Sequence, residues 1–436
     1  MRTWFLRARE SFWFLPTVFG VAAIALAIGL TELDRLLLAN GDTSGALLAD
    51  LSATGGRAIL TVIGGTMLGV AATSFSITIS VLATTSSAYG PRLVRNFMAD
   101  RGNQFVLAVL TSTFLYTLVV LRAVRTEQDS ISAFVPVTAV TFAVFLAIAD
   151  VAVLVYFIHH IARSVQVTTL QGRVLRELVE VIDLLYPDAS DRDTVATEPD
   201  DLIVHEEFFA TASGYVQYVD FEDLVAFARA HQVVVRIATP PGTHVLEGQV
   251  IAQSLVSRNQ GRDESTEKAA SKAITSAIAV GAARTPHQDL GFAVQGLTEI
   301  GVRGLAAGTN DPYTAVAAID ALSSALVTLC GRPATDGRYP GDDGELRVVV
   351  CRWPSPIELI ADALLALRTY GMRHPLVVRA GVGLLERLEA AMTGGDRLRL
   401  RDEIAAFRSA YVATDPPPTD AAPVLERLDD TVRRLP

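Results

Sequence analysis

Lysine is nearly missing from this 436-residue chain: Lys268 and Lys272 are the two it has, and arginine carries the rest of the positive charge. That removes a GKS/T phosphate loop and most Schiff-base chemistry, which need a lysine at a defined place. Cysteine is as scarce, with Cys330 and Cys351 alone. They form no CxxC and have no metal-ligand spacing to another Cys or His, so two reduced thiols are expected rather than a disulfide framework or a zinc site. Basic excess is absent too. A formal net charge of −10 argues against nucleic acid, whose binders carry basic patches. HEEFF at 205–209 lacks the second histidine of HExxH, and neither GxSxG nor a GxGxxG after a strand occurs. His231, His244 and His287 stand singly among polar residues. The chain therefore reads as a non-enzyme without cofactor or metal.

What is present is a set of long apolar runs in the first 160 residues, within a chain that is 50% hydrophobic. Four are long enough to cross a bilayer, which takes about 20 residues: roughly 14–33, 58–83, 104–121 and 132–158. The amino terminus mixes Arg2, Arg7 and Arg9 with Trp4, Phe5, Phe12 and Trp13, an interfacial start; no small-x-small site follows the first run to mark a cleaved signal. Three arginines each fall in the amino terminus, the 84–103 loop and the segment after the fourth run, against two in each opposite loop. That asymmetry puts both termini in the cytoplasm.

The second run is the unusual one. On a helix at about 100° per residue, Thr66, Gly69, Thr73, Ser76, Ser80, Thr84 and Ser87 fall along one stripe. Two readings stand: close packing by neighbouring helices, which small residues permit, or a solvated pathway. They coincide if the stripe faces an oligomer axis. Thr66, Thr73, Ser76, Ser80 and Thr84 are then the pathway-lining residues, and Phe75 and Phe97 the candidate constriction. Asp150 lies inside the fourth run. A carboxylate at that depth is costly and reads either as a cation or proton site or as a protonated acid bonded to a hydroxyl of the stripe. Tyr156, His159 and His160 follow as interfacial anchors.

After residue 160 the sequence is acidic and water-compatible. An amphipathic stalk at 161–185 leads to an acidic linker ending near 200. A small β-rich module follows at 201–260: a strand in ASGYVQYVD, a short helix in FEDLVAFARAH, and a hairpin in QVVVRIATPPGTHVLEGQVIAQ. PGTHVLEGQVIA resembles the hairpin of barrel-sandwich (biotinyl/lipoyl-like) modules, without the carrier lysine. Residues 261–436 read mainly as helices, one of them TEKAASKAITSAIAVGAAR, with one strand in LRVVVCRW. In TNDPYTA, Asn310 or Asp311 caps a helix with Pro312 at its first position. The alternative there is a ligand or anion held by the helix end with Arg303 nearby. The expected fold is thus an α-helical integral membrane protein with four transmembrane helices (domain 1–160) and a cytoplasmic α+β domain, the latter a barrel-sandwich-like module plus a helical region.

FSITISVLATTSSAYGPRLVRNFMAD, FIHHIARSVQV, SGYVQYVD with PPGTHVLEGQ, and TNDPYTA occur in this order. Together they resemble the bacterial predicted membrane proteins of domain of unknown function 2254. The resemblance implies an inner-membrane protein with a four-span amino-terminal region and a cytoplasmic body, and carries over no site residue. Two functions are expected from the residues: an oligomeric channel for small cations, its second span innermost and its cytoplasmic body assembling or gating it, or a membrane-anchored scaffold or ligand sensor. The expected partners are the lipid bilayer, further copies of the chain and small ions.

Overall fold

The structure, a computed structural model, describes residues 13–39, 51–89, 100–125, 134–164, 166–186, 202–257, 273–332, 337–341, 344–350 and 353–436. Phe97, Cys351, the arginines of the amino terminus and most of the acidic linker lie outside these residues, as does the side chain of Ser87. The chain divides into two compact units, Met1–Thr169 and Leu170–Pro436.

The first unit is built of α1 (Phe14–Ala39), α2 (Ala53–Tyr89), α3 (Arg101–Ala123) and α4 (Val137–Ser164). α3 packs against each of the other three, and α4 also meets α1 and α2. Its surface is the apolar side of the unit: Val21, Val62, Ile148, Val151 and Val155 are all exposed, as suits helices solvated by lipid tails. The polar ends are individually matched. Asp100 caps α3, accepting from the Gly102 amide at 2.8 Å. The start of α4 is capped from another helix: Asp34 of α1 accepts from the amides of Thr138 (3.2 Å) and Ala139 (3.0 Å). Tyr116 of α3 donates to the Ala139 carbonyl at 2.9 Å. These bonds satisfy amides that no turn of α4 can reach and fix α1 and α3 against its first turn.

Among the described residues five helices are long and apolar enough to cross a membrane: Phe14–Leu38, Ala53–Thr84, Arg101–Ala123, Val137–Ser164 and Pro312–Gly331. The sequence reading had four; the fifth belongs to the second unit.

α5 (Val167–Leu185) begins at the end of the first unit and runs on as the first helix of the second, its apolar stripe of Leu170, Val174, Leu178, Val181 and Ile182 buried. The expected stalk is thus a core helix of this unit, begun after α4 has ended at Ser164. Next come β1 (Leu202–Phe209), β2 (Gly214–Val219), α6 (Phe221–His231), β3 (Val234–Ile237), β4 (His244–Val245), β5 (Val250–Ser257) and β6 (Ile278–Gly281). They are followed by α7 (Leu290–Gly304), α8 (Pro312–Gly331), β7 (Arg338–Pro340), β8 (Leu346–Val350), α9 (Pro356–Tyr370), α10 (Pro375–Ala391), α11 (Asp396–Val412) and α12 (Pro418–Arg434). The strands make two sheets, β1-β5-β3-β8-β7 and β4-β2-β6.

β3 and β5 pair antiparallel, as the hairpin reading requires. Their connection is no tight turn, however: it carries β4 across to β2 in the other sheet. β8 adds to β3 in parallel, with Val348 beside Val235, so the sheets draw strands from well beyond residue 260. Part of TEKAASKAITSAIAVGAAR, read as one helix, is strand β6 paired to β2. Both sheets and α6 share one core around Val216, Val235, Ile237, Val245 and Val348.

The PPGTHV segment packs closely against one carboxylate. Asp289 caps α7 through the Phe292 amide at 2.9 Å and grips Arg284 through Nε (2.6 Å) and Nη2 (2.7 Å). Gly242, at φ +89°, lies so close that a Cβ there would fall 2.4 Å from Asp289 Oδ2. Asp289→Ala removes a cap and takes from the Arg284 guanidinium its carboxylate partner, leaving it Gln295 Oε1 at 3.3 Å. A loss of about 3 kcal/mol or more is expected, read as a lower unfolding midpoint of the full chain in denaturant.

Candidate functional site

The stripe of α2 lies on the outside of its own helix bundle. Leu60, Ile63, Gly64, Ala71, Ser74 and Thr78 form the buried face. At about 100° per residue the stripe is on the opposite side, and Thr66, Gly69, Thr73, Ser76, Ser80 and Thr84 are all exposed. From Thr66 to Thr84 it runs about 27 Å at about 1.5 Å per residue, close to the thickness of a hydrocarbon core. The close-packing reading, taken within one bundle, is therefore not what the fold does: no helix of the bundle's described residues covers this face. Next to it, Ala58, Ile59 and Val62 face Val144, Ala147, Ile148 and Val151 of α4 across an apolar groove of about 510 Å³.

The threonine hydroxyls of the stripe turn back on their own helix. Thr66 donates to the carbonyls of Val62 (2.6 Å) and Ile63 (3.0 Å), Thr73 to Gly69 (2.9 Å) and Thr84 to Ser80 (3.0 Å). Such bonds satisfy the donor and leave oxygen lone pairs facing outward. Phe75 is partly exposed, but at about 100° per residue it lies off the stripe, nearer the buried face of α2.

Asp150 is elsewhere. It points into its own bundle, 1% exposed, and the hydroxyl beside it belongs to Thr113 of α3, not to the stripe. The structure therefore separates two features that the sequence reading joined: hydroxyls face out from α2, while the carboxyl lies between α3 and α4.

His160 has a more definite place than an interfacial anchor. Its Nε2 is 3.0 Å from Asp100 Oδ1, which ties the end of α4 to the cap of α3, and Tyr156 stacks on its ring. Gly102 makes room, since a Cβ there would meet Nε2 at 2.6 Å. Topology alone brings Asp100 and His160 to one end of the bundle. The signal in the sequence was an acid and a glycine opening one run and a histidine closing the next.

Arg303 and Asn310 do not converge on an open helix end. Arg303 spends Nε and Nη2 on Glu299, at 3.0 and 2.9 Å. Asn310 takes a left-handed turn at φ 44°, and the amino end of α8 holds a carboxylate of its own chain. Asp311 accepts from the amides of Tyr313 (3.1 Å) and Thr314 (3.2 Å) and from the Thr314 hydroxyl (2.6 Å). An anion brought there would meet negative charge already in place.

The chain matches the family described as Predicted membrane protein (DUF2254) over residues 9–387. It is 32% identical over 374 residues to an uncharacterized protein of Mycobacterium tuberculosis (strain CDC 1551 / Oshkosh), spanning 86% of this chain and 70% of that one. With the same spans it is 31% identical to uncharacterized proteins of Mycobacterium bovis (strain ATCC BAA-935 / AF2122/97) and Mycobacterium tuberculosis (strain ATCC 25618 / H37Rv). No solved structure matches it.

Asp311 yields a pH prediction. The Thr314 hydroxyl, ahead of the backbone amides, holds its carboxyl below the usual range, so folding favours the charged form. Its stabilisation is present above about pH 4 and is lost as pH falls through the lowered value. Asp311→Asn keeps a capping side chain but drops this share of the acid sensitivity. Melting curves of the two chains are expected to converge as pH falls below about 4.

Proposed function

This chain belongs to the predicted membrane protein family DUF2254, and we propose that it assembles into a homo-oligomeric channel for small cations with α2 innermost. The observation that carries the reading is the exposed stripe. Five hydroxyl residues at helical spacing face away from their own helix bundle along about 27 Å (1.5 Å per residue). Lipid gives such a face nothing. Copies of the same face around an axis give each other close approach through Gly69 and the serines, and give a passing ion oxygen atoms in exchange for hydration.

In this reading four helices span the inner membrane. α8 is the fifth by length and composition, but its apolar residues Ala315, Ile319, Leu322, Leu326 and Leu329 are buried inside the second unit, and its exposed line is Tyr313, Asp320, Ser324 and Thr328. That is the pattern of a core helix in water. Arginine placement sets both termini, and with them the second unit, in the cytoplasm, where it assembles or gates the ring.

The back-bonded threonines favour a second reading, in which the satisfied hydroxyls tolerate lipid, the four helices only anchor, and the second unit is a scaffold or sensor.

Two measurements separate the readings. Wild-type protein in liposomes is expected to pass sodium or potassium ions, and Ser76→Trp to lower that flux by roughly tenfold or more, since indoles repeated around an axis would occlude it. In a chain with Cys330→Ala and Cys351→Ala, Thr73→Cys is expected to form disulfide-linked dimers in membranes, and Thr78→Cys on the buried face is not. Absence of both flux and Thr73 cross-links would turn the assignment to the scaffold.

A further inference from the structure

The membrane unit is held by two apolar clusters, and one polar pair lies between them. Leu60, Tyr116, Val120, Ala139 and Ala143 belong to the first cluster; Ala71, Val106, Leu110, Phe157 and Ile161 to the second. On α3 the first begins at Tyr116 and the second stops at Leu110, with Thr113 in the gap. On α4 the first, with its partly buried fringe, stops at Ala147 and the second begins at Val153, with Asp150 in the gap. Both residues are 1% exposed. Among the described residues the Asp150 carboxyl has no partner other than the Thr113 hydroxyl beside it.

No charged partner comes near from the packed helices. On α1, Asp34 is committed to the first turn of α4, and Glu32 pairs with Arg35. α2 offers Arg57 near its start. α3 has Asp100 and Arg101 at one end, Arg122 at the other, and Tyr116 bonded to Ala139. On α4 itself His159, His160 and Arg163 begin nine residues on, about 14 Å along the helix; Tyr156, between, stacks on His160.

A bare carboxylate in this seam would have no counter-charge and only the Thr113 hydroxyl to accept from, a costly state. A metal cation would find two carboxyl oxygens and one hydroxyl, short of the six or so oxygens a hard cation takes up (about six to eight for calcium). A proton needs one. We propose that Asp150 is a proton-binding site occluded between α3 and α4. With the proton bound, the neutral acid fits the seam and the two clusters close over it. When the proton leaves to water admitted from either side, the remaining charge holds that water in place and loosens α3 from α4. The site is independent of the α2 stripe, so it stands whether or not ions pass along that face.

The test uses the full chain in liposomes and dicyclohexylcarbodiimide, an apolar reagent that reaches carboxyl groups from the lipid and adds to the protonated acid. Mass spectrometry is expected to find one membrane-unit adduct, at Asp150, absent from Asp150→Asn. Its rate should fall about tenfold per pH unit above the midpoint, as one bound proton requires, and stay the same when sodium chloride replaces choline chloride. Sodium protection at constant pH would make the site a cation site and overturn the proposal, as would no adduct at any pH. The sodium comparison needs wild type only, so it holds even if the variant fails to fold. Thermal unfolding adds a second readout: wild type is expected to lose stability toward alkaline pH relative to Asp150→Asn, and parallel curves would also overturn the proposal.

Discussion

Hydrocarbon supplies no hydrogen-bond partner, so every polar group of the membrane unit has to be answered by the protein itself. Most are. Asp34 answers the first amides of α4, Asp100 answers Gly102 and holds His160, Tyr116 answers Ala139, and the threonines of α2 turn back on their own carbonyls. Of the polar groups left over among the described residues, the buried Asn103 side chain is one, and two others give rise to the proposals. One faces outward along α2, where only another chain or water can meet it. The other, Asp150 with Thr113, faces inward, where only a proton fits.

α3 makes this arrangement possible. It touches all three other helices, so its buried face carries the packing of the whole unit and α2 is left with one face to spare. The outward side of α2 then carries hydroxyls and glycine while its inward side carries Leu60, Ile63 and Ala71. In the second unit charge does similar work with water nearby. Asp289 joins a helix cap, an arginine and the PPG segment. Glu389, buried, bridges Arg397 and Arg434 at 2.9 Å each and so fastens the last helix.

Much was legible in the sequence because it rests on local pattern. The four long apolar runs became α1 to α4. FEDLVAFARAH became α6, capped by Asp220, and DPYTA opened α8 with Asp311 as cap and Pro312 first. The mainly helical reading of 261–436 was met by α9, α10, α11 and α12. Composition was less decisive for α8, because apolar content alone does not tell a helix buried by protein from one buried by lipid. Sheet partners were illegible: β8 pairs with β3 across more than a hundred residues of sequence, and no local periodicity reports on that distance.

By itself the sequence determined that α2 is a helix with a file of small polar residues, and that Asp150 sits within an apolar run. Both follow from helical period and hydropathy, which are properties of neighbouring residues. Tertiary packing alone decided that the file points out of the helix bundle, that Asp150 points in beside Thr113, and that His160 meets Asp100. Which side of a helix is covered depends on where the other helices stand, and that is set by contacts between residues far apart in the chain.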